Sequence, residues 1–219
     1  KRRGSVDGKN TVSDYFPVEK EYGYSVFSTV FSFEWKDKMM NFIDCPGSDD
    51  FVGGVISALN VTDMALMLVS GSNGVEVGTM NQYRYAEKLN KPLMFLINHL
   101  DHEKSDYENT LTNLKEMYGS KVVPVQYPVG SGGAFSGVVD VLKQKMYKFK
   151  PGASTPDVLD IPAEEKERAG ELYHALLEAA AENDEGLMEK YFEQGSLTEE
   201  EMRDGIQKGL ITRSLFPVF

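Results

Sequence analysis

Two short motifs carry side chains whose types and spacing could do chemistry. Asp44-Cys45-Pro46-Gly47 follows the apolar pair Phe42-Ile43, and Asn98-His99-Leu100-Asp101 follows Phe95-Leu96-Ile97. An Asp after a buried strand can hold a magnesium ion through water, and a glycine behind it lets a backbone N–H approach a terminal phosphate oxygen. An Asn and an Asp three residues apart offer a different contact. The carboxylate can accept two hydrogen bonds, from the N1–H and the exocyclic amine of guanine, a pattern that adenine cannot reproduce. Alone, each motif is common as a turn. Together, in this order and 54 residues apart, they leave room for alternating helices and strands between them. Both then fall at strand ends, where a doubly wound sheet contacts its ligands.

The elements that must position these motifs can be read from periodicity. Tyr24, Val26, Thr29, Phe31 and Phe33 roughly alternate, and Lys38 to Cys45 contains Met39, Met40, Phe42 and Ile43, so the two runs predict a hairpin turning at Lys36-Asp37. Met64–Val69 and Pro92–Ile97 are short, wholly apolar runs, the pattern of strands covered on both faces. Phe51, Val55, Ile56 and Leu59 follow helical spacing, as do Tyr83, Ala86 and Leu89, then Tyr107, Leu111, Leu114 and Met117. A further β-run spans Lys121–Gln126. This alternation predicts an α/β domain with a mostly parallel sheet. After Pro128 the turn Gly130-Ser131-Gly132-Gly133 reads as a linker, with short strands at Gly137–Asp140 and within Leu142–Phe149, then a proline-bearing linker over Pro151–Pro162. Helices are predicted over Ala163–Asn183, Asp184–Gln194 and Thr198–Lys208, capped by Asp184 and Thr198 and stopped by Gly195 and Gly209. Thr198-x-x-Glu201 fits a capping box. Leu215–Phe219 closes the chain as a β-run.

Composition limits the partners. The 219 residues carry 23 Lys+Arg against 34 Asp+Glu, a formal charge of −11, which argues against general attraction to nucleic-acid phosphates. The excess is local: residues 151–219 hold 6 basic and 16 acidic side chains, net −10, and residues 1–150 are nearly neutral at −1. A single cysteine, Cys45, excludes an internal disulfide framework and fits a reducing cytosol. No apolar run approaches the ~18 residues needed to cross a bilayer, so no membrane role is expected. The chain opens Lys1-Arg2-Arg3 without a signal-peptide core, as a trimmed piece would.

The sequence resembles the GTPase domain of bacterial translation elongation factor G. The landmarks are Asp7, Thr11-Val12-Ser13-Asp14-Tyr15, Glu21-Tyr22-Gly23-Tyr24-Ser25-Val26, Phe33-Glu34-Trp35, Asp44-Cys45-Pro46-Gly47, Gly74-Val75-Glu76 and Asn98-His99-Leu100-Asp101. Val123–Gly130 and Phe135–Asp140 are similar to the run that enters that factor's insertion, Ile161–Asp204 to its helices, and Phe216–Phe219 to the strand that returns. The resemblance implies a P-loop GTPase-type doubly wound sheet with an inserted α-rich (α+β) subdomain: core at 1–128, insertion at 129–210, returning strand at 211–219. It implies GTP or GDP held by Asp44, Pro46, Gly47, Asn98, His99 and Asp101, with Mg2+ held by Ser25 and Asp44. The implied setting is the cytoplasm, with the ribosome as partner and a monomeric factor. The insertion would face a basic ribosomal stalk protein through Glu164, Glu165, Glu167, Glu171, Glu178 and Glu182. The family's phosphate-binding loop is expected before residue 1 and its purine-backing motif after Phe219, leaving this piece without turnover of its own.

The departures from the family pattern bear on hydrolysis. Ser48 stands where the family has the histidine that positions the attacking water, and a short neutral hydroxyl cannot become cationic. Tyr22-Gly23-Tyr24-Ser25 replaces R-G-I-T, keeping the hydroxyl of Ser25 and losing a positive charge. His99 replaces the lysine of N-K-x-D, with Asp101 intact. Together these favour a divergent paralogue that binds GTP and hydrolyses it poorly, over a normally hydrolysing factor or a nucleotide-independent ribosome-binding domain. Cys45 replaces a buried threonine, with nothing basic beside it to activate the thiol.

Overall fold

The expected hairpin forms as β1 (Thr29–Trp35) and β2 (Lys38–Asp44), antiparallel, with Thr29 opposite Asp44 and Trp35 opposite Lys38. Its register follows from the turn: Lys36 and Asp37 sit at φ 48° and 60°, the left-handed pair that a two-residue turn needs to match strand twist. Phe42 stacks between Phe31 and Phe33 at centroid distances of 5.8 and 5.4 Å, the cross-strand aromatic contact that stabilises such a pair. The first strand begins at Thr29 rather than Tyr24 because Val26 and Phe27 give their N–H groups to the Glu19 carboxylate instead of a neighbouring strand.

The computed structural model describes residues 4–6, 8–150 and 155–219. Asp7 and residues 151–154 of the expected linker lie outside them. The chain divides into two compact units, Lys1–Met64 with Val77–Leu89, and Ala65–Glu76 with Asn90–Phe219.

The first unit contains the hairpin, α1 (Pro17–Tyr22), α2 (Val52–Val61) and α3 (Val77–Lys88). Helix α1 has no apolar periodicity long enough to announce it. It forms because Pro17 presets the first helical φ and Glu19 reaches back to the N–H of Phe16 at 3.1 Å. Glu19 is fully buried and also accepts the N–H groups of Val26 (3.1 Å) and Phe27 (3.0 Å). Burial works to raise its pKa; the hydrogen bonds from Phe27, Val26 and Phe16 outweigh it and hold the carboxyl below its ordinary range.

The second unit is built on two sheets. In one, β3 (Ala65–Ser70), β4 (Leu93–Asn98), β10 (Phe216–Val218) and β5 (Val122–Pro124) lie in the order β3-β4-β10-β5, and every pairing is parallel. This is the parallel α/β core that the alternation predicts. Leu93, Phe95, Leu114 and Val218 are without exposure, and Phe95 stacks on Tyr118 at 5.3 Å. Strand β3 corrects one expectation. It is the edge strand of its sheet, and Leu66 (41% exposed) and Leu68 (58%) leave one of its faces open among the described residues.

The run Lys121–Gln126 is not one strand. It splits at Val125 into β5 and β6 (Gln126–Val129), which belong to different sheets. Val125 joins them, donating its N–H to Val218 and accepting that of Val141, both at 2.9 Å or less. The second sheet is the antiparallel meander of β6, β7 (Gly137–Asp140), β8 (Lys145–Lys148) and β9 (Asp157–Leu159). Its first strand starts at Gln126, slightly before the boundary expected at 129.

Three helices follow: α5 (Lys166–Ala181), α6 (Glu185–Gln194) and α7 (Glu199–Thr212). Asp184 and Thr198 are the N-caps, Thr198 and Glu201 form the capping box, and Gly195 ends α6 at φ 69°. Gly209 does not stop α7. The helix runs on to Thr212 and ends at Arg213, because a Cβ at Gly209 would meet Leu215 Cβ at 2.8 Å, so the glycine serves close packing instead. Gly205 does the same against α5, where a Cβ would lie 2.3 Å from the carbonyl oxygen of Ala180. Arg168 of α5 stacks on Tyr127 of β6 at 4.1 Å and pairs with Glu108 of α4 (Tyr107–Tyr118), tying the helices to the sheets. Among the described residues no helix is long and apolar enough to cross a membrane.

Candidate functional site

The two motifs lie in different units, and each is built by its own surroundings. In the first unit β2 delivers Asp44 at its C-terminal end, exposed, with its carboxylate outside any side-chain hydrogen bond or ion pair among the described residues. Cys45 is half-buried; burial raises its thiol pKa, the Asp44 charge adds to this, and a hydrogen bond from Ser28 (3.6 Å) only partly opposes it. The thiol therefore stays protonated, as expected for a structural cysteine. Pro46 is buried and Gly47 exposed. The Gly47 carbonyl accepts Gln82 Nε2 of α3 at 3.2 Å, and a Cβ at Gly47 would meet nothing within 4 Å. Open space thus remains in front of its backbone.

Ser48 has a local task. Its Oγ accepts the N–H of Asp50 at 3.4 Å, capping the 3-10 turn Asp49–Phe51, and Asn81 of α3 donates to Asp49 at 2.6 Å. Ser25, half-buried, donates its hydroxyl to Asp14 Oδ1 at 2.7 Å, while Thr11 Oγ1 donates to Asp14 Oδ2 at 3.2 Å. The loop around Ser25 is also pinned by Glu19 through the N–H groups of Val26 and Phe27. With its proton committed to Asp14, the Ser25 oxygen keeps lone pairs for a cation. No group of three or more His, Cys, Asp and Glu is arranged to hold a metal among the described residues. A lone hydroxyl and a carboxylate such as Asp44 suit the ion that wants fewest protein ligands, magnesium carried on phosphates and water.

In the second unit β4 ends at Asn98, and His99 turns the chain at φ 62°. Among the described residues the Asn98 and Asp101 side chains are exposed and make no hydrogen bond. Their backbone is held firmly. The Asn98 carbonyl accepts the N–H of Gly71 at 2.8 Å, and the Leu100 carbonyl accepts both Ser105 Oγ (2.8 Å) and the N–H of Gly132 (2.9 Å). A Cβ on Gly71 would stand 3.1 Å from the Asn98 oxygen, and one on Gly132 3.1 Å from Glu103 Cα. The glycine turn read as a linker is therefore also a buttress for the Asn98–Asp101 loop. Sequence reasoning missed this role, as it missed Glu19; in both cases the partner lies outside the local pattern. The result is an amide and a carboxylate, three residues apart, on a pinned loop and free to bind a planar polar ligand.

Of the acids expected to face a partner, Glu164, Glu167, Glu171, Glu178 and Glu182 are exposed and Glu165 is half-buried. Glu178 accepts the hydroxyl of Tyr191 at 3.1 Å.

Residues 1–206 match the profile of the family described as the elongation factor Tu GTP binding domain. An elongation factor G-like protein of Thermotoga maritima is 34% identical over 218 residues, covering 99% of this chain and 31% of the relative. A crystal structure of a Thermus thermophilus protein superposes with a TM-score of 0.91 at 34% identity, covering 99% of this chain and 32% of that one. The chain spans about a third of the length of these proteins.

Proposed function

Because the chain belongs to the elongation factor Tu GTP-binding domain family, we propose that it is the guanine-nucleotide-binding domain of an elongation factor G-like translation factor that works on the ribosome in translocation. The observation that carries the nucleotide reading is the pinned loop after β4, with Asn98 and Asp101 open on a rigid backbone. Asp101 would accept the guanine N1–H and amine, Asn98 would brace the loop and the base, and His99 would stack on the purine. Gly47, with space before its backbone, would approach a terminal phosphate oxygen, with Pro46 fixing the turn. Asp44 and Ser25 would hold Mg2+, which offsets phosphate charge when bound.

Residues 1–128 serve as the core, 129–210 as the insertion and 211–219 as the returning strand. The pairing of β5 with β10 supports this, since it brings the two ends of the insertion side by side. The factor works in the cytoplasm as a monomer, its acidic insertion turned to a basic stalk protein. Hydrolysis is impaired, a reading supported by the occupation of the Ser48 hydroxyl as a turn cap and by its inability to take a charge.

Two titrations on the intact protein test this. Asp101→Asn exchanges an acceptor for a donor, and should weaken GTP binding at least about 100-fold while admitting a xanthine nucleotide, whose 2-carbonyl accepts. Unchanged guanine preference overturns the role of Asp101. Ribosome-stimulated phosphate release should be slow and should rise in Ser48→His; brisk release from the unaltered protein overturns the impaired-hydrolysis reading.

A further inference from the structure

The loop that carries Asp101 is held by groups outside the Asn98–Asp101 motif. It runs through two consecutive turns: His102 donates its N–H to the His99 carbonyl at 3.1 Å, and Ser105 donates its N–H to the His102 carbonyl at 2.9 Å. Leu100 and Asp101 are the central pair of the first turn. The chain enters from β4 through Asn98, whose carbonyl Gly71 holds, and leaves at Asp106, whose N–H returns to the Gly71 carbonyl at 2.7 Å. Both ends are fastened to one glycine.

Between those ends, the peptide joining Leu100 to Asp101 decides where Asp101 points. A peptide is planar, so fixing its carbonyl also fixes the plane from which the next Cα departs. The Leu100 carbonyl takes two donors, Ser105 Oγ at 2.8 Å and the Gly132 N–H at 2.9 Å. A carbonyl oxygen has two lone pairs, and here both are occupied. Ser105 is 8% exposed, so little water can take the place of its hydroxyl. A serine at a turn commonly bonds within its own turn. Ser105 instead reaches five residues back, past Asp101, to the peptide that aims it. The Asp101 side chain is exposed and makes no hydrogen bond among the described residues, so its direction is inherited from that peptide.

We propose, on the guanine reading above, that Ser105 is a positioning residue for base selection: its hydroxyl and the Gly132 N–H clamp the Leu100–Asp101 peptide so that the carboxylate meets the N1–H and the exocyclic amine of guanine together. Two parallel hydrogen bonds demand a fixed carboxylate plane, whereas a single bond tolerates rotation. Loosening the clamp therefore weakens the two-point contact with guanine more than the one-point contact with hypoxanthine, which keeps the N1–H and lacks the amine. Gly132 is suited to its half of the clamp, with φ 54° and a position where a Cβ would stand 3.1 Å from Glu103 Cα.

Competition between guanosine and inosine diphosphates on the intact protein reads this, since the two share phosphates, sugar and N1–H. Ser105→Ala should lower the preference for guanosine diphosphate about fivefold, as for loss of one hydrogen bond, and change the affinity for inosine diphosphate less than about twofold. Ser105→Thr keeps a hydroxyl and should retain most of the preference. In the 219-residue chain without nucleotide, Ser105→Ala should also speed amide exchange at His102 and Gly132 about fivefold, with circular dichroism unchanged. A merely structural serine would weaken both nucleotides alike. Equal losses for the two, or an unchanged preference, overturn the proposal. Asp101→Asn separates this from the reading beneath it. If Asp101→Asn also leaves the preference unchanged, the guanine reading falls and the role of Ser105 with it; if Asp101→Asn abolishes the preference while Ser105→Ala leaves it intact, Ser105 alone loses its role.

Discussion

The two units hold their chains by different means. The unit containing β4 and β10 relies on burial: Leu93, Phe95, Leu114 and Val218 have no exposure, and α5 and α7 meet so closely that Gly205 has no room for a methyl group. The unit containing the hairpin leaves Val30 (66%), Trp35 (63%) and Met39 (65%) in the open, and its loop before β1 is fastened by the carboxylates of Asp14 and Glu19. Apolar burial yields a stiff platform, whereas polar pins yield a segment whose conformation depends on a few groups and on their charge. The contrast suits their proposed tasks, since the platform carries the base-reading loop and the pinned loop carries Ser25.

The strongest way to break this comparison is to delete one large apolar side chain from each unit. Leu114→Ala should cost about 3–5 kcal/mol, a buried transfer loss plus a cavity, and Trp35→Ala less than about 0.5 kcal/mol, as for exposed positions. Urea denaturation followed by far-ultraviolet circular dichroism measures both, and comparable costs would erase the distinction.

The next test is the Glu19 pin. Glu19→Ala leaves three N–H donors without their acceptor and should cost about 2–3 kcal/mol, seen as faster amide exchange at Phe16, Val26 and Phe27. The pH dependence carries a sign. A carboxyl held below its unfolded value of about 4.5 contributes stability that is complete above that pH and lost as pH falls through the depressed value. Trp35, the only tryptophan and a resident of β1, reports the first unit alone. Its fluorescence should therefore change on acidification below about pH 4.5, and Glu19→Gln should flatten that response. In the other unit Glu201, held down to about 2 first by Lys190 and then by Thr198, follows the same sign over a window from about 4.5 to about 2. A tryptophan response unaltered by Glu19→Gln would remove the polar-pin account.

The smallest expected effect sharpens the hairpin. Lys36 and Asp37 occupy left-handed backbone at φ 48° and 60°, so Lys36→Asn with Asp37→Gly should stabilise it by about 1 kcal/mol or less. The midpoint of the Trp35 transition in urea reads this directly.

Much of this architecture could be read from periodicity because the signals were local. Phe95-Leu96-Ile97 before Asn98 announced a buried strand with a loop beyond it, and Thr198 with Glu201 announced a helix start, since each is decided within a few residues. The errors share a cause in tertiary contacts. Gly209 looks like a helix stop until Leu215 and Asn183 are seen to need its space. Lys121–Gln126 looks like one strand until Val218 and Val141 bond Val125 from opposite sides. Helix α1 and Glu19 gave no pattern because a single carboxylate, bonding residues three before and seven and eight after itself, does what an apolar stripe does elsewhere. The chemical motifs were legible as strand ends; the support of Asn98–Asp101 by Gly71 and Gly132 was not.

The position of β10 bears on how the protein acquires its shape. A parallel neighbour of both β4 and β5, it follows β5 by more than ninety residues, so this inner strand of the sheet is synthesised well after the two strands it joins. Until then β4 and β5 have open edges facing each other, and closing the loop is entropically slow although each doubling of its length adds only about 0.6 kcal/mol. The helices of the insertion, held by local contacts, can form during that wait. A protein emerging from a ribosome would thus complete its acidic helices first and its parallel sheet second, with the exposed edges of β4 and β5 as the interval's aggregation risk.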